Sequence, residues 1–312
     1  MNRIINFLTS DRGKKFIFFT ISTTCIGSCS FLYIPNTVLI SQYQKLFEMY
    51  RDGEPVLVEG ETLEKFKEVI IDINSFVKPR GKITPFIAYG FDTVSAGHTN
   101  TLQGAIIGIP STFEYKTIED VDKNPIRVNG KFLDPELDVA NRLKESIILS
   151  DNAKKYAICR EILLTNTNVM YFQASYPPII IITLNFFSQF CKKVFGVERL
   201  PPINRGIVYS LLTILGYSVW ILLKDNTNLY FESMVEHQIC SLGESYIHGG
   251  LEYYSKCLEK NKALRELMYK GDSKYTVTGN ENYKFRNKSI PLTARQEFFK
   301  TQLSNINVNV IC

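Results

Sequence analysis

Charge disappears from three stretches of the chain, and apolar residues fill them. The first runs from Phe16 to Gln44, with its apolar part at Phe16 to Ile34 (FIFFTISTTCIGSCSFLYI). At ~1.5 Å rise per residue, a helix over that part reaches about 28 Å, close to one hydrocarbon core. The second runs from Ile162 to Cys191 and is densest in PPIIIITLNFFSQFC. The third is Gly206 to Leu223 (GIVYSLLTILGYSVWILL), between Arg205 and Lys224. All three meet the ~18-residue criterion for a membrane span. The competing reading of each is a buried core helix, and Ser22, Thr23, Thr24, Ser28 and Ser30 dilute the first. Pro177 and Pro178 suit a first helical turn, where a missing N–H costs nothing. The second helix is therefore predicted to begin near Pro177, with Lys192 and Lys193 snorkelling outward.

The flanking charges choose an orientation. Arg3, Arg12, Lys14 and Lys15 precede the first span against Asp11 alone, and Lys192, Lys193, Arg199 and Arg205 separate the other two against Glu198. Short positive segments stay on the inner side. Three spans then place residues 35–168 and 224–312 together on the opposite side. A two-span arrangement would separate them. The predicted class is an α+β membrane protein: an inner segment (1–15), an anchor helix (16–34), a soluble α+β part (35–168), spans at 169–191 and 206–223 joined by a basic loop (192–205), and a soluble helical part (224–312). The two soluble parts read as one domain split by a transmembrane hairpin. The first apolar run is long for a secretory signal and no A-x-A-like site follows it, which favours an uncleaved anchor.

Outside the apolar windows the period alternates. Glu61 to Val77 places Leu63, Phe66, Val69, Ile70, Ile73 and Val77 at helical spacing, ended by Pro79 and Gly81. Thr84 to Ala88 and Ala105 to Ile109 are β-like. Ile126 to Val128 and Lys131 to Leu133 flank Asn129-Gly130, a two-residue hairpin signal. Together these predict a small antiparallel sheet. Helical period returns at Asp138, and Ser150 caps SDNAKKYAICREILL, with Ala153, Ala157 and Leu164 on one face and Arg160 and Glu161 on or beside it. Leu229 to Glu259 reads as a long helix interrupted near Gly249-Gly250. The following amphipathic stretch sets Leu251, Tyr254, Leu258 and Leu264 on one side. Lys270 to Arg286 has turn chemistry, and the Asn-rich tail from Thr301 reads as loose.

Composition narrows the function classes. Of 312 residues, 45% are hydrophobic and 21% charged, which suits a folded chain, and a net charge of +5 gives no basic stripe for nucleic acid. The cysteines at 25, 29, 159, 191, 240, 257 and 312 form no C-x-x-C pair, so apolar packing is their reading rather than a disulfide framework or zinc ribbon. His98, His237 and His248 make no H-x-x-x-H pair and read as surface or capping residues. No P-loop, G-x-G-x-x-G, G-x-S-x-G or H-E-x-x-H is present. The residues alone therefore supply no catalytic, cofactor-binding or metal-binding set. Two surfaces could bind a partner: the membrane hairpin, through Ser and Thr side chains and Gly216, and a soluble face around Gly104 to Pro110 and Gly249-Gly250.

Several strings resemble one family. VSAG at Val94 to Gly97, GAIIGIPSTF at Gly104 to Phe113, LSDNAKKYAICREILL at Leu149 to Leu164, GGLEYYSKCLEKNKALREL at Gly249 to Leu267 and IPLTAR at Ile290 to Arg295 look like the transmembrane protein 177 family, in order and near the same spacing. The spans and the first 80 residues match it in pattern more than in letters. The resemblance implies a multi-pass protein of the mitochondrial inner membrane that aids early biogenesis of cytochrome c oxidase subunit 2. Its implied partners are that subunit, its membrane assembly chaperone and membrane lipid, with no nucleic acid, cofactor or reaction. The inner side would be the matrix, and the soluble domain would face the intermembrane space.

A more distant likeness is to membrane-bound zinc peptidases of the HtpX type. Their GHEIxH helix aligns with CREILL, which leaves Arg160 and Leu164 at the ligand histidines and keeps only the general-base glutamate, as Glu161. The third ligand would fall near Glu236. A catalytic zinc needs three protein ligands, and Arg160 would put a cation where the metal belongs, a repulsion of roughly 4 kcal/mol per unit charge pair at ~4 Å. This likeness implies a degenerate zincin-like fold, a pseudopeptidase reused for binding. The alternative is a metal-dependent peptidase with a non-standard site of Glu161, Glu236 and His237.

Overall fold

The computed structural model describes residues 10–123, 126–134, 136–284 and 286–311. The chain divides into two compact units, one of residues 1–36 and 168–228, the other of residues 37–167 and 229–312.

The first unit holds the long apolar helices. α1 (Asp11–Tyr33) starts at Ser10, whose side chain accepts the Gly13 N–H. Its polar residues fit a helix that crosses lipid because Thr20 and Thr24 return their hydroxyls to the carbonyls four residues back, as do Thr183, Thr213 and Ser218 in the other apolar helices. Among the described residues, three helices are long and apolar enough to cross a membrane: α1, and the later helices Val169–Phe195 and Pro202–Cys240. The second begins at Val169 and not near Pro177, so both prolines lie inside it. Side chains of the turn just before the prolines bond to the later helix: Gln173 Nε2 donates to Asn228 Oδ1 at 2.6 Å, and Tyr176 meets Thr227 at 2.5 Å. Gly216 lets the paired helix approach: a Cβ there would lie 2.4 Å from Leu184 Cδ1.

The second unit runs in chain order through α2 (Ile40–Lys45), β1 (Tyr50–Arg51), β2 (Glu54–Pro55), α3 (Gly60–Asp72), β3 (Ile83–Ala88), β4 (Val94–Gly97), β5 (Ala105–Pro110), α4 (Ile118–Lys123), β6 (Arg127–Val128), β7 (Lys131–Phe132), α5 (Asp138–Ile147) and α6 (Asp151–Thr165). The membrane helices are α7 (Val169–Phe195) and α8 (Pro202–Cys240). The last turns of α8 belong to the second unit, followed by α9 (Glu244–Leu267), α10 (Gly271–Lys274) and α11 (Leu292–Ile311).

The main sheet is mixed, where the sequence predicts an antiparallel one. Its order is β3-β5-β4; β3 pairs parallel to β5, and β4 pairs antiparallel to it. The chain leaves β3, forms the outer strand first, and returns through the 98–104 turn into the middle. The Asn129-Gly130 hairpin forms a separate two-stranded ribbon, β6-β7. One face of the main sheet sets Ile107 and Ile109 against α3 and α6; the other sets Phe86, Ala88, Ala96 and Ile106 against Ile40, Tyr43 and Phe47.

α6 is the centre of the core. Ala153, Tyr156, Ala157, Ile158, Cys159, Ile162 and Leu163 are all buried, facing several directions around the helix. Ser150 caps it by accepting the Ala153 N–H, and Glu252 binds the Ser150 backbone N–H in turn. The predicted break at Gly249-Gly250 is absent, and α9 runs straight through both glycines. The interruption comes earlier, at Ser241–Gly243. The glycines serve packing: a Cβ on Gly249 would lie 2.3 Å from the Asn152 carbonyl oxygen. The tail from Thr301 is not loose; it continues α11 to Ile311, and Leu303 and Ile306 pack on the core.

Candidate functional site

α6 presents Arg160 and Glu161 beside β4. Glu161, 5% exposed, accepts hydrogen bonds from Ser95 Oγ (2.6 Å), Thr93 Oγ1 (3.1 Å) and the Arg160 guanidinium (2.7 Å). Ser95 reaches it because alternate residues of β4 point to the α6 face. On the other side of Arg160, the last turns of α8 carry Glu232 and Glu236 four residues apart, on one helical face. Arg160 lies 3.6 Å from Glu232.

α11 closes the group. Arg295, 2% exposed, pairs with Glu232 and lies 2.5 Å from Glu236. Its Nε donates to the Ile290 carbonyl at 3.0 Å, while the Ile290 N–H donates to Glu232 at 3.0 Å. The Tyr254 hydroxyl of α9 donates to Glu236 at 2.7 Å and accepts from Arg295 (3.0 Å) and the Tyr156 hydroxyl (2.9 Å). Two cations and three carboxylates from α6, α8 and α11 thus share one buried network, and every carboxylate in it is engaged.

The electrostatics follow from that crowding. Burial works against the Arg160 charge, but Tyr254, Glu161 and Glu232 more than offset it, and the guanidinium is held well above its ordinary value. Arg295 is likewise raised, burial opposing and the negative groups around it prevailing. Burial pushes the Tyr254 phenol up to about 12, so it remains a donor. Such a network gives little net stability over an apolar core, but removing one member strands the rest. The Arg160 Nε is buried without an acceptor among the described residues.

Two clefts open on either side of Arg160. One, of about 350 Å³, is lined by polar groups that include Asp92, Lys260, Asn261, Tyr275 and Glu281. Lys260 pairs with Asp92; that lysine is held above and that carboxyl below its ordinary value. The other, of about 290 Å³, is largely apolar and lined by Tyr43, Phe47, Phe86, Val94, Ala96 and Ile106. Thr93 and Arg160 line both.

The residues singled out for a non-standard metal site do not assemble into one. Glu161 and Glu236 belong to the network, but each is held by an arginine, and His237 is exposed with its ring against Phe298 (centroids 4.7 Å apart). Among the described residues, no group of three or more His, Cys, Asp and Glu side chains could hold a metal ion. Leu164 lines the apolar cleft. His98 is buried and not at the surface, and it takes the capping role that the sequence also suggests: its Nδ1 accepts the Asn100 N–H in the β4–β5 turn. His248 is exposed beside Glu244. The glycine-rich segments of the suggested soluble face are themselves buried: Ala105–Pro110 is the middle strand, and Cβ atoms on Gly249 and Gly250 would press on Asn152 and Phe299, while Ile106 lines the apolar cleft. Cys159 and Cys191 are buried; Cys25, Cys29, Cys240 and Cys257 are partly so, and Cys312 lies outside the described residues.

Sequence reasoning missed Glu232, Arg295 and the Tyr156–Tyr254 pair. The four-residue spacing of Glu232 and Glu236 beyond the apolar part of α8 was the available signal. Arg295 ends the IPLTAR string, but nothing there marks its partner Glu236, which is about sixty residues away in the chain.

Comparison with known proteins points to one family. A family model described as transmembrane protein 177 matches residues 87–299. A protein of that name from Danio rerio is 31% identical over 271 residues, covering 85% of this chain and 87% of its own. Its namesake from Xenopus laevis is 30% identical over 268 residues (84% and 85%), and that from Homo sapiens 28% identical over 285 residues (87% and 89%). No solved structure matches the chain.

Proposed function

The chain belongs to the transmembrane protein 177 family, and from that membership we propose that it is a non-enzymatic assembly factor of the mitochondrial inner membrane. In this reading it supports early biogenesis of cytochrome c oxidase subunit 2 by binding and stabilising that subunit's membrane chaperone. The second unit faces the intermembrane space, and the short basic segments stay in the matrix. The fold is a zincin-like one that has lost its metal: α6 offers Arg160 where a ligand would stand and keeps Glu161.

One observation carries the binding reading. The side chains best placed for chemistry, Glu161, Glu232 and Glu236, are locked by Arg160 and Arg295. A general base must be free to take a proton, and a ligand carboxylate free to meet a cation. Neither condition fits a carboxylate already held by a guanidinium, so the network favours a structural role beneath a binding surface.

The test is deletion and affinity isolation from detergent-solubilised mitochondria. Subunit 2 or its chaperone should co-purify with the tagged chain, and newly made subunit 2 should decay faster without it. Recovery of neither, with unchanged subunit 2 turnover, overturns the reading.

A further inference from the structure

The two outer edges of the main sheet differ. The β3 edge is occupied: Met49 N–H donates to the Ile87 carbonyl and Tyr89 N–H to the Phe47 carbonyl, each at 2.8 Å. The β4 edge has no such partner among the described residues. The register fixes what it offers. His98 N–H donates to the Gly104 carbonyl (3.1 Å), and the pairs Ala96↔Ile106 and Val94↔Gly108 have the same parity. In an antiparallel ladder such pairs alternate with outward-facing ones, so the N–H and C=O of Ser95 point away from β5. An unpaired strand edge is a template for another strand.

We propose that the β4 edge docks an extended polypeptide segment of a partner protein as a fourth strand, running through the two clefts that meet at Thr93 and Arg160. Only a peptide backbone supplies donors and acceptors at strand spacing, about 6.6–6.8 Å between residues of one parity. The side-chain pattern follows from the walls. The apolar cleft beside Ala96 takes an aliphatic residue against Tyr43, Phe47 and Ile106. The polar cleft is lined by Asp92, Glu232 and Glu281 against Arg160, Lys260 and Arg295, and the carboxylates of Glu161 and Glu236 that bind those arginines tip the local balance to five against three, which favours a basic residue. Main-chain bonds give affinity in this mode, and alternate side-chain pockets give selectivity. Ser95 is held in place by its bond to Glu161, so the ion-pair network stiffens the docking edge.

The proposal deepens the binding reading above and rests on it only for the statement that this domain binds protein. If subunit 2 and its chaperone fail to co-purify but a peptide pairs at β4, the surface stands and the oxidase partner falls. Co-purification without peptide pairing gives the reverse.

The experiment uses the full chain in detergent micelles and an acetylated nine-residue peptide of alternating lysine and valine. Matched probes replace lysine by glutamate, or carry N-methyl groups on one alternate set of backbone amides or on the other. Amide exchange at Ser95 is expected to slow at least tenfold with the lysine peptide. The glutamate peptide should bind at least tenfold more weakly, and N-methylation of one set should weaken binding at least tenfold while the other changes it less than threefold. Equal sensitivity to both sets, protection away from residues 93–97, or no binding at 1 mM overturns the proposal. Protection of that edge without peptide that disappears on dilution also overturns it, because the edge would then pair with a second copy of the chain.

Discussion

Arg295 is 2% exposed, and its charge is matched by Glu236, itself 3% exposed. Arg295→Met would leave that carboxylate buried without its cation, a loss of about 3–5 kcal/mol. The double variant Arg295→Met/Glu236→Gln should recover part of the loss, because the uncompensated charge goes with it. Denaturation of the single and double variants would check both, and simple additivity would show the pair uncoupled. Cys159 predicts a pH dependence. Burial, aided by the Asp72 carboxylate, raises its thiol far above the ordinary value. The folded value exceeds the unfolded one of about 8.5, so its contribution is full below that pH and is lost as pH climbs toward the folded value. Stability should therefore fall from about pH 8.5 to 10 more steeply in the wild type than in Cys159→Ala. The folded thiol should also resist iodoacetamide at pH 8 until the chain unfolds. At this scale the sequence was half legible: Arg160 and Glu161 stand out as a charged pair within the apolar run Ala157 to Leu164, whereas Glu232 and Arg295 acquire meaning only when α8 and α11 meet.

Elements were legible where the signal was local. The Ser150 cap, the Asn129-Gly130 turn and the helical spacing from Glu61 each depend on a few neighbouring residues, and each yields its element. Three features were misread because their cause is a distant partner. β3 and β5 run parallel because β4 forms outside them, which no strand pattern records. Pro177 and Pro178 lie inside α7, with side-chain bonds to α8 on hand nearby. Gly249 and Gly250 look like a helix breaker but are a contact surface. The last point gives a comparison. Gly249→Ala would press a methyl 2.3 Å from the Asn152 carbonyl, whereas at Gly206, also helical, a Cβ meets nothing within 4 Å. The first should cost about 1–3 kcal/mol by overpacking, and the second should be neutral or gain up to about 1 kcal/mol from helix propensity. Thermal unfolding of the two variants decides it, and equal midpoints would mean that α6 and α9 separate freely.

At the scale of the whole molecule, the second unit is built from two stretches of chain with the α7–α8 hairpin inserted between them. Its core shows how unequal a cut there would be. Val235, Ile239, Tyr246, Tyr254 and Phe299 come from after the hairpin and pack with Phe66, Ile107, Tyr156 and Ile162 from before it. Residues 37–167 alone would expose one side of α6 and should not fold. The hairpin contributes none of those core residues, so the two stretches should fold together without it. Asn228 and Gln173 side chains touch at 2.6 Å, which places the start of α7 beside α8 near residue 229. From Gln173 back to Val169 is about 6 Å of helix. A ten-residue Gly/Ser linker, with an average span of about 17 Å, reaches comfortably from Thr167 to Leu229. The joined chain, residues 37–167, linker and 229–312, is expected to stay in solution without detergent, to show helical circular dichroism and to unfold in one cooperative transition. Residues 37–167 by themselves should be degraded at the first protease exposure. A joined chain that needs detergent, or melts without a transition, would mean that the membrane helices are part of what holds this domain together.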